Sequence, residues 1–280
     1  MLRHIQCKGR IAMNWLPILK DCAQNIRKKA LPLIAKPEAA ETYGRGAGGD
    51  MMKKIDLIAE KALIEVLEKS EASCILISEE SGTNRIGREP SEYYLTTDPI
   101  DGTTNALRGL PFVATSLATS KTRNFRDIDT ALVSDILHNI TYTARRGQGT
   151  YRNEQKIGPS KKSSLDEAVI GMDLGTPKKG ELTPHFITLL QKTKHLRHLG
   201  ANALEICYVA DGTTDAFIDI RGKLRVTDVA AAYLILLEAG GTMTSPEGKE
   251  LSAPLTPTQQ VSFIAAANKQ LYEVVRRFLV

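Results

Sequence analysis

Two carboxylates three residues apart stand on either side of a proline in Asp98-Pro99-Ile100-Asp101, and Gly102-Thr103-Thr104-Asn105 follows directly. Aspartates on both arms of such a turn can converge on a hard cation, while a glycine-threonine helix start offers free backbone N–H groups to a phosphate. The same residues also suit a plain turn, with Asp98 opening it and Asp101 or Thr103 capping a helix. A β-prone run over 93–97 and a helix opening at Gly102 favour a site over a mere turn. Gly102 and Thr103 are then the candidates for donating N–H groups to phosphoryl oxygens.

Two more acidic points belong with this loop. Glu79-Glu80 ends another β-prone run, 73–77, and parallel strands ending side by side would bring Glu79 next to Asp98. Thr227-Asp228 heads the run 229–237, which is apolar nearly all round and therefore a buried helix. Asp228 suits a helix cap, but a carboxylate at a buried helix end also needs a partner, most economically a cation. Oxygen ligands without His or Cys suit Mg²⁺ or Mn²⁺ better than zinc. His195 and His198, on a predicted strand, read as surface or core residues.

The segment Asp219-Ile220-Arg221-Gly222-Lys223-Leu224-Arg225 places three cations between a strand end and Asp228. It fits a solvated basic turn equally well as a substrate site in which Asp219 meets a sugar hydroxyl and Arg221 or Lys223 a second phosphate. The run Gly44-Arg45-Gly46-Ala47-Gly48-Gly49 formally matches G-x-G-x-x-G, yet helical sequence rather than a strand precedes it. A mobile flap ahead of Asp50 and Asp56 is the favoured reading.

The elements that must hold these residues fall into two patterns. Apolar spacing predicts helices over 11–34 and 55–67, then strands at 112–119, 130–137, 140–144 and 150–152 separated by tight turns, which is an antiparallel sheet. After a Lys/Ser/Pro-rich connector the chain alternates: strand 168–172, helix 184–192, strand 195–199, helix 201–210, strand 215–220, helix 229–239, strands 241–244 and 262–266, helix 269–278. The expected organisation is an α+β half over 1–170 and an α/β half over 171–280, with the site at their seam.

The 280 residues, 42% hydrophobic and 25% charged, are enough for a full core and exclude a disulfide-dependent mini-protein or a disordered chain. No run approaches the ~20 apolar residues of a membrane helix, and no signal-peptide pattern opens the chain. Cys7, Cys22, Cys74 and Cys207 form no C-x-x-C pair and read as reduced thiols of a cytoplasmic protein. The net charge of +5, 37 basic against 32 acidic residues, suits an anionic substrate. A non-catalytic dinucleotide or nucleic-acid binding module would need a strand before the glycines or aromatic-basic interleaving, and neither appears.

Asp50 and Asp56 in G-G-D-M-M-K-K-I-D, Glu79-Glu80-Ser81, D-P-I-D-G-T-T-N at 98–105 and T-D-V-A-A-A-Y-L-I-L-L-E-A-G-G at 227–241 resemble the inositol monophosphatase superfamily. The resemblance runs through most of the chain in order and extends to the archaeal-type branch, whose members hydrolyse both fructose 1,6-bisphosphate and inositol monophosphates. It implies a layered αβαβα sandwich of the sugar phosphatase type and a homodimer acting on a small phosphate ester, with neither nucleic acid nor membrane as partner. It further implies Mg²⁺, two or three ions, with Mn²⁺ able to substitute. Glu79, Asp98 and the Ile100 carbonyl would hold a first ion, Asp98, Asp101 and Asp228 a second, and Glu79 with Glu80 a weaker third. The pair orienting the attacking water falls on Asp56 and Thr103, and Arg197 and Asn202 match a substrate-contacting segment. Thr227 stands where the family often has Trp, at a position that is not a ligand. Nucleotide phosphatases acting on 3′-phosphoadenosine 5′-phosphate or NADP are the close alternatives.

Overall fold

The computed structural model describes residues 13–88, 93–173 and 184–279, with side chains in the last segment described from 187 onward. The first turn expected at Ile11, and Cys7, lie outside the described residues. Helix α1 (Trp15–Ala30) buries Trp15, Leu19, Cys22, Ala23, Ile26 and Ala30 along one stripe and ends in Arg27, Lys28 and Lys29, which suits the negative end of its dipole. Helix α2 (Lys54–Lys69) lies beside it. Between them stands a hairpin of β1 (Thr42–Arg45) and β2 (Met51–Lys53).

The first large sheet comprises β3 (Cys74–Ser78), β4 (Gly82–Ile86), β5 (Tyr94–Asp101), β6 (Ala114–Ser120), β7 (Ile128–Asp135), β8 (Ile140–Arg145), β9 (Gly149–Arg152) and β10 (Gln155–Lys156). Its order is β10-β9-β8-β7-β6-β5-β3-β4, antiparallel throughout except for the parallel pair β3–β5. A short helix, α3 (Thr103–Arg108), leaves the end of β5. The second half contributes β11 (Val169–Met172), α4 (Pro184–Lys192), β12 (His195–Arg197), α5 (Asn202–Ala210), β13 (Ala216–Arg225), α6 (Val226–Ala239), β14 (Thr242–Thr244), β15 (Gln260–Ala266) and α7 (Lys269–Arg276). Its five-stranded sheet runs β12-β11-β13-β15-β14, with β11 parallel to both neighbours and the rest antiparallel.

Five layers result: α1 and α2, the eight-stranded sheet, α5 and α6, the five-stranded sheet, then α4 and α7. Helix α6 touches β5 to β9 on one side and β13 to β15 on the other, which is why its sequence is apolar all round and its residues from Val226 to Leu236 are buried. One hydrophobic cluster therefore contains Ile77, Val133 and Tyr142 of the first sheet together with Phe217 and Phe263 of the second. Cys22, Cys74 and Cys207 are buried free thiols, and burial pushes the first two up to about 12. Among the described residues no helix is long and apolar enough to cross a membrane.

Three features went unread in the sequence: the β1–β2 hairpin, β4 and β10. All are short and largely exposed, so none carries the apolar alternation of a half-buried strand. The middle layer makes a direct prediction. Ile235→Ala, which empties a fully buried position between the sheets, lowers unfolding free energy by about 2–5 kcal/mol, whereas Lys20→Ala, which removes an exposed pair with Glu154, changes it by less than about 1 kcal/mol. Urea titration of both variants checks the contrast.

Candidate active site

Four elements end at one place. The parallel register of β3 and β5 pairs Ser78 with Thr97, so Glu79 and Asp98 leave neighbouring strand ends together. Helix α6 brings Asp228 to the same point, and one oxygen from each of Glu79, Asp98 and Asp228 lies within 4.8 Å of the others. Asp228 stands at the third position of its helix and accepts the N–H of Arg225, the cap residue, at 3.0 Å and the Thr227 hydroxyl at 2.9 Å. Asp56 repeats the pattern on α2, accepting the N–H of its own cap residue, Lys53, at 2.8 Å. Each aspartate thus steadies a helix start while turning oxygen toward the site, so capping and chemistry are compatible.

Asp101 joins the halves. Its two oxygens accept the backbone N–H groups of Asn202 and Ala203 at 2.9 and 2.7 Å, at the start of α5. A carboxylate has about four lone-pair positions, so both oxygens keep capacity for a further ligand. Gly102 follows at φ +91, and a side chain there would meet Ala201 Cβ and the carbonyls of Gly200 and Phe112 at 3.1 Å, so only glycine lets the starts of α3 and α5 come this close. The Thr103 hydroxyl lies 3.0 Å from Asp56 Oδ1 and 3.1 Å from the Ile100 carbonyl, with one hydrogen to give. Asn105 ties the turn to the second half by donating to the carbonyls of Phe112 and Leu199.

These groups floor a cavity of about 750 Å³ whose walls include Asp50, Glu80, Ile100, Gly102, Thr104, Asn202, Arg221 and Lys223. Burial is the main influence on Asp56, Glu79, Glu80, Asp98, Asp101 and Asp228. Glu79 is raised to about 9 by burial and by Asp228, against the pull of Arg225. Glu80 rises to about 8 through burial and the charges of Asp56 and Glu60, Asp101 to about 7 through burial and Asp228, and Asp56 to about 6 through burial. Burial and the neighbouring carboxylates hold Asp98 well above the usual range. A cluster of crowded oxygens that resists ionisation without a cation could hold a hard divalent ion.

The remaining expected contacts separate. Asn202 and Lys223 line the cavity, and so does Arg221. Asp219 does not: it is fully buried, and Arg221 covers its carboxylate through backbone and side-chain N–H groups. It holds Arg221 from behind instead of meeting a sugar hydroxyl. Arg221 also pairs with Asp173 at 2.5 Å, a partner at the end of β11 that the sequence reading passed over, although an acid directly after a strand was its signal. Arg197 is exposed beyond the cavity, its Nη1 donating to the Leu196 carbonyl.

The glycine run is the tip of the β1–β2 hairpin, with no strand-to-helix turn of the dinucleotide-binding kind. Ala47 and Gly48 donate their N–H groups to the carbonyls of Glu80 and Glu79, so the tip lies on the Glu79-Glu80 segment as a docked lip. Arg225, grouped in the sequence with the substrate cations, lies inside the acidic cluster. Its guanidinium meets Glu79 Oε1 at 2.5 Å, Asp50 Oδ2 at 2.8 Å and the Gly48 carbonyl at 3.1 Å. Its place three residues before Asp228 was the available clue.

Comparison with known proteins agrees with this architecture. The model of the inositol monophosphatase family matches residues 17–279. A fructose-1,6-bisphosphatase/inositol-1-monophosphatase of Methanothermobacter thermautotrophicus is 33% identical over 95% of this chain and 96% of its own. A bifunctional NADP phosphatase/NAD kinase of Methanococcus maripaludis is 35% identical over 93% of this chain and 48% of its own. The crystal structure of an inositol monophosphatase-fructose 1,6-bisphosphatase superposes with a TM-score of 0.84 at 30% identity, covering 95% of this chain and all of the other. A match through nearly the whole length, together with a carboxylate cluster built from β3, β5 and α6, makes this chain a member of the inositol monophosphatase family.

Proposed function

We propose that this protein is a Mg²⁺-dependent phosphomonoesterase that hydrolyses fructose 1,6-bisphosphate and inositol monophosphates. The observation that carries the reading is the convergence of Glu79, Asp98 and Asp228 within 4.8 Å at the base of a cavity that also presents Thr103 and Asp56. Glu79, Asp98 and the Ile100 carbonyl would hold one ion, and Asp98, Asp101 and Asp228 another. Bound divalent ions supply an acidified water and offset charge on the phosphoryl and leaving oxygens.

The chain's own residues do the positioning. Thr103 donates its single hydroxyl hydrogen to Asp56 Oδ1 and turns a lone pair toward the cavity, where it can accept from an attacking water. Asp56, near 6, is ionised at neutral pH and able to take up a proton. The backbone around Gly102 and Thr103, at the start of α3, faces the phosphoryl oxygens. Lys223, exposed at the rim, supplies positive charge for a second phosphate, and Arg221, held by Asp219 and Asp173, lines the cavity beside it, which favours a bisphosphate. NADP is the competing substrate, on the strength of the 35% identical bifunctional relative.

Phosphate release from fructose 1,6-bisphosphate, inositol 1-phosphate, 3′-phosphoadenosine 5′-phosphate and NADP decides among these. Activity disappears with chelator, returns with Mg²⁺, and falls about 10²–10³-fold in Asp98→Asn; turnover indifferent to chelation sinks the mechanism. Lys223→Ala raises KM for fructose 1,6-bisphosphate about tenfold and leaves inositol 1-phosphate within about twofold, and an equal rise for both removes the second-phosphate role.

Metal-free stability also depends on pH in a defined direction. Glu79, raised from 4.5 to about 9, keeps in the folded state a proton that the unfolded chain releases, so its contribution is full below about pH 4.5 and is lost as pH rises toward 9. Differential scanning of the metal-free protein shows Tm falling across this window. At pH 8, Mg²⁺ at about 100 times its Kd restores about 2.7 kcal/mol, and a Tm unmoved by Mg²⁺ contradicts the metal centre.

A further inference from the structure

The guanidinium of Arg225 is surrounded by oxygens of the kinds a divalent cation takes: Glu79 Oε1, Asp50 Oδ2 and the Gly48 carbonyl in contact, and Asp228 Oδ1 at 3.6 Å from Nε. Three chain segments supply them, the hairpin tip, the end of β3 and the start of α6. The group is fixed there: Arg225 is 15% exposed, Asp228 accepts its backbone N–H, and its Nε is buried with no hydrogen-bond partner.

No space is left for an ion on this side. Mg²⁺ binds oxygen at about 2.0–2.1 Å, and a Glu79 oxygen that already has Nη2 at 2.5 Å cannot accept such an ion from the same direction. The hairpin closes the gap from the other side. A Cβ on Gly48 would lie 2.7 Å from Nη1 and 2.9 Å from Glu79 Cγ, so the tip packs against the pair with glycine's clearance alone. Arginine is the side chain for the task, because it stays charged at any working pH and donates in a planar fork to several oxygens.

We propose that Arg225 is a tethered cation standing in place of a third divalent ion on the hairpin side of the centre, so that this chain holds two exchangeable ions of the two or three expected. The inference rests on the metal-centre reading and narrows it: Arg225 is a positioning residue that neutralises Glu79 and secures the hairpin tip.

Counting ions tests it. Metal-stripped protein is titrated with Mn²⁺ and free Mn²⁺ is followed by electron paramagnetic resonance. Wild type saturates at two ions, while Arg225→Met and Arg225→Gln each admit a third, weaker ion that is lost again when Asp50→Asn is added. A third ion in wild type, or a count of two in a folded Arg225 variant, overturns the proposal, and the wild-type count decides the matter alone if neither variant folds. Wild type that binds no Mn²⁺ overturns the metal centre itself, an outcome distinct from a count of three.

Discussion

Buried like charges are the constraint around which this molecule is arranged. Burial raises Glu79, Asp98, Asp101 and Asp228, and neighbouring carboxylates push the first three up further. Such a cluster persists only if the surrounding framework holds each group in place. Here the restraint comes from backbone N–H groups: those of Asn202 and Ala203 on Asp101, of Ile100 on Asp98 and of Arg225 on Asp228. The five-layer packing aims these N–H groups, since α5 and α6 start at the site and then run between the sheets.

The same view explains which parts of the chain were readable. Helix α6 announced its burial because a helix between two sheets has no solvent face to mark with polar residues. Most strands of both sheets followed from short β-prone runs, and Glu79 beside Asp98 from two such runs that end in acids. Asp98-Pro99-Ile100-Asp101-Gly102-Thr103 was legible because each residue is chemically specialised: two acids, a turn, and a glycine that the close approach of α5 requires.

Charged residues were harder to place, because sequence spacing gives the sign of a charge but not its partner. Arg221, Lys223 and Arg225 look alike in a basic segment, yet one is backed by Asp219 and Asp173, one faces the cavity rim, and one enters the acidic cluster. Asp219 is two residues from Arg221, but Asp173, Glu79 and Asp50 come from distant parts of the chain. The glycine run was ambiguous for a related reason: small residues permit both a phosphate loop and close packing, and only the carbonyls of Glu79 and Glu80 opposite them decide.

The contact between Arg225 and Glu79 spans 146 residues of chain. It can form only once both halves of the chain are in place. The first sheet by itself carries Glu79, Asp98 and Asp101 close together, acids whose repulsion is relieved when they keep a proton. When the start of α6 arrives it delivers one more carboxylate and, three residues before it, a guanidinium. Negative charge and its counter-charge thus enter as one unit, so the start of α6 adds no net charge to the acids already gathered on the first sheet.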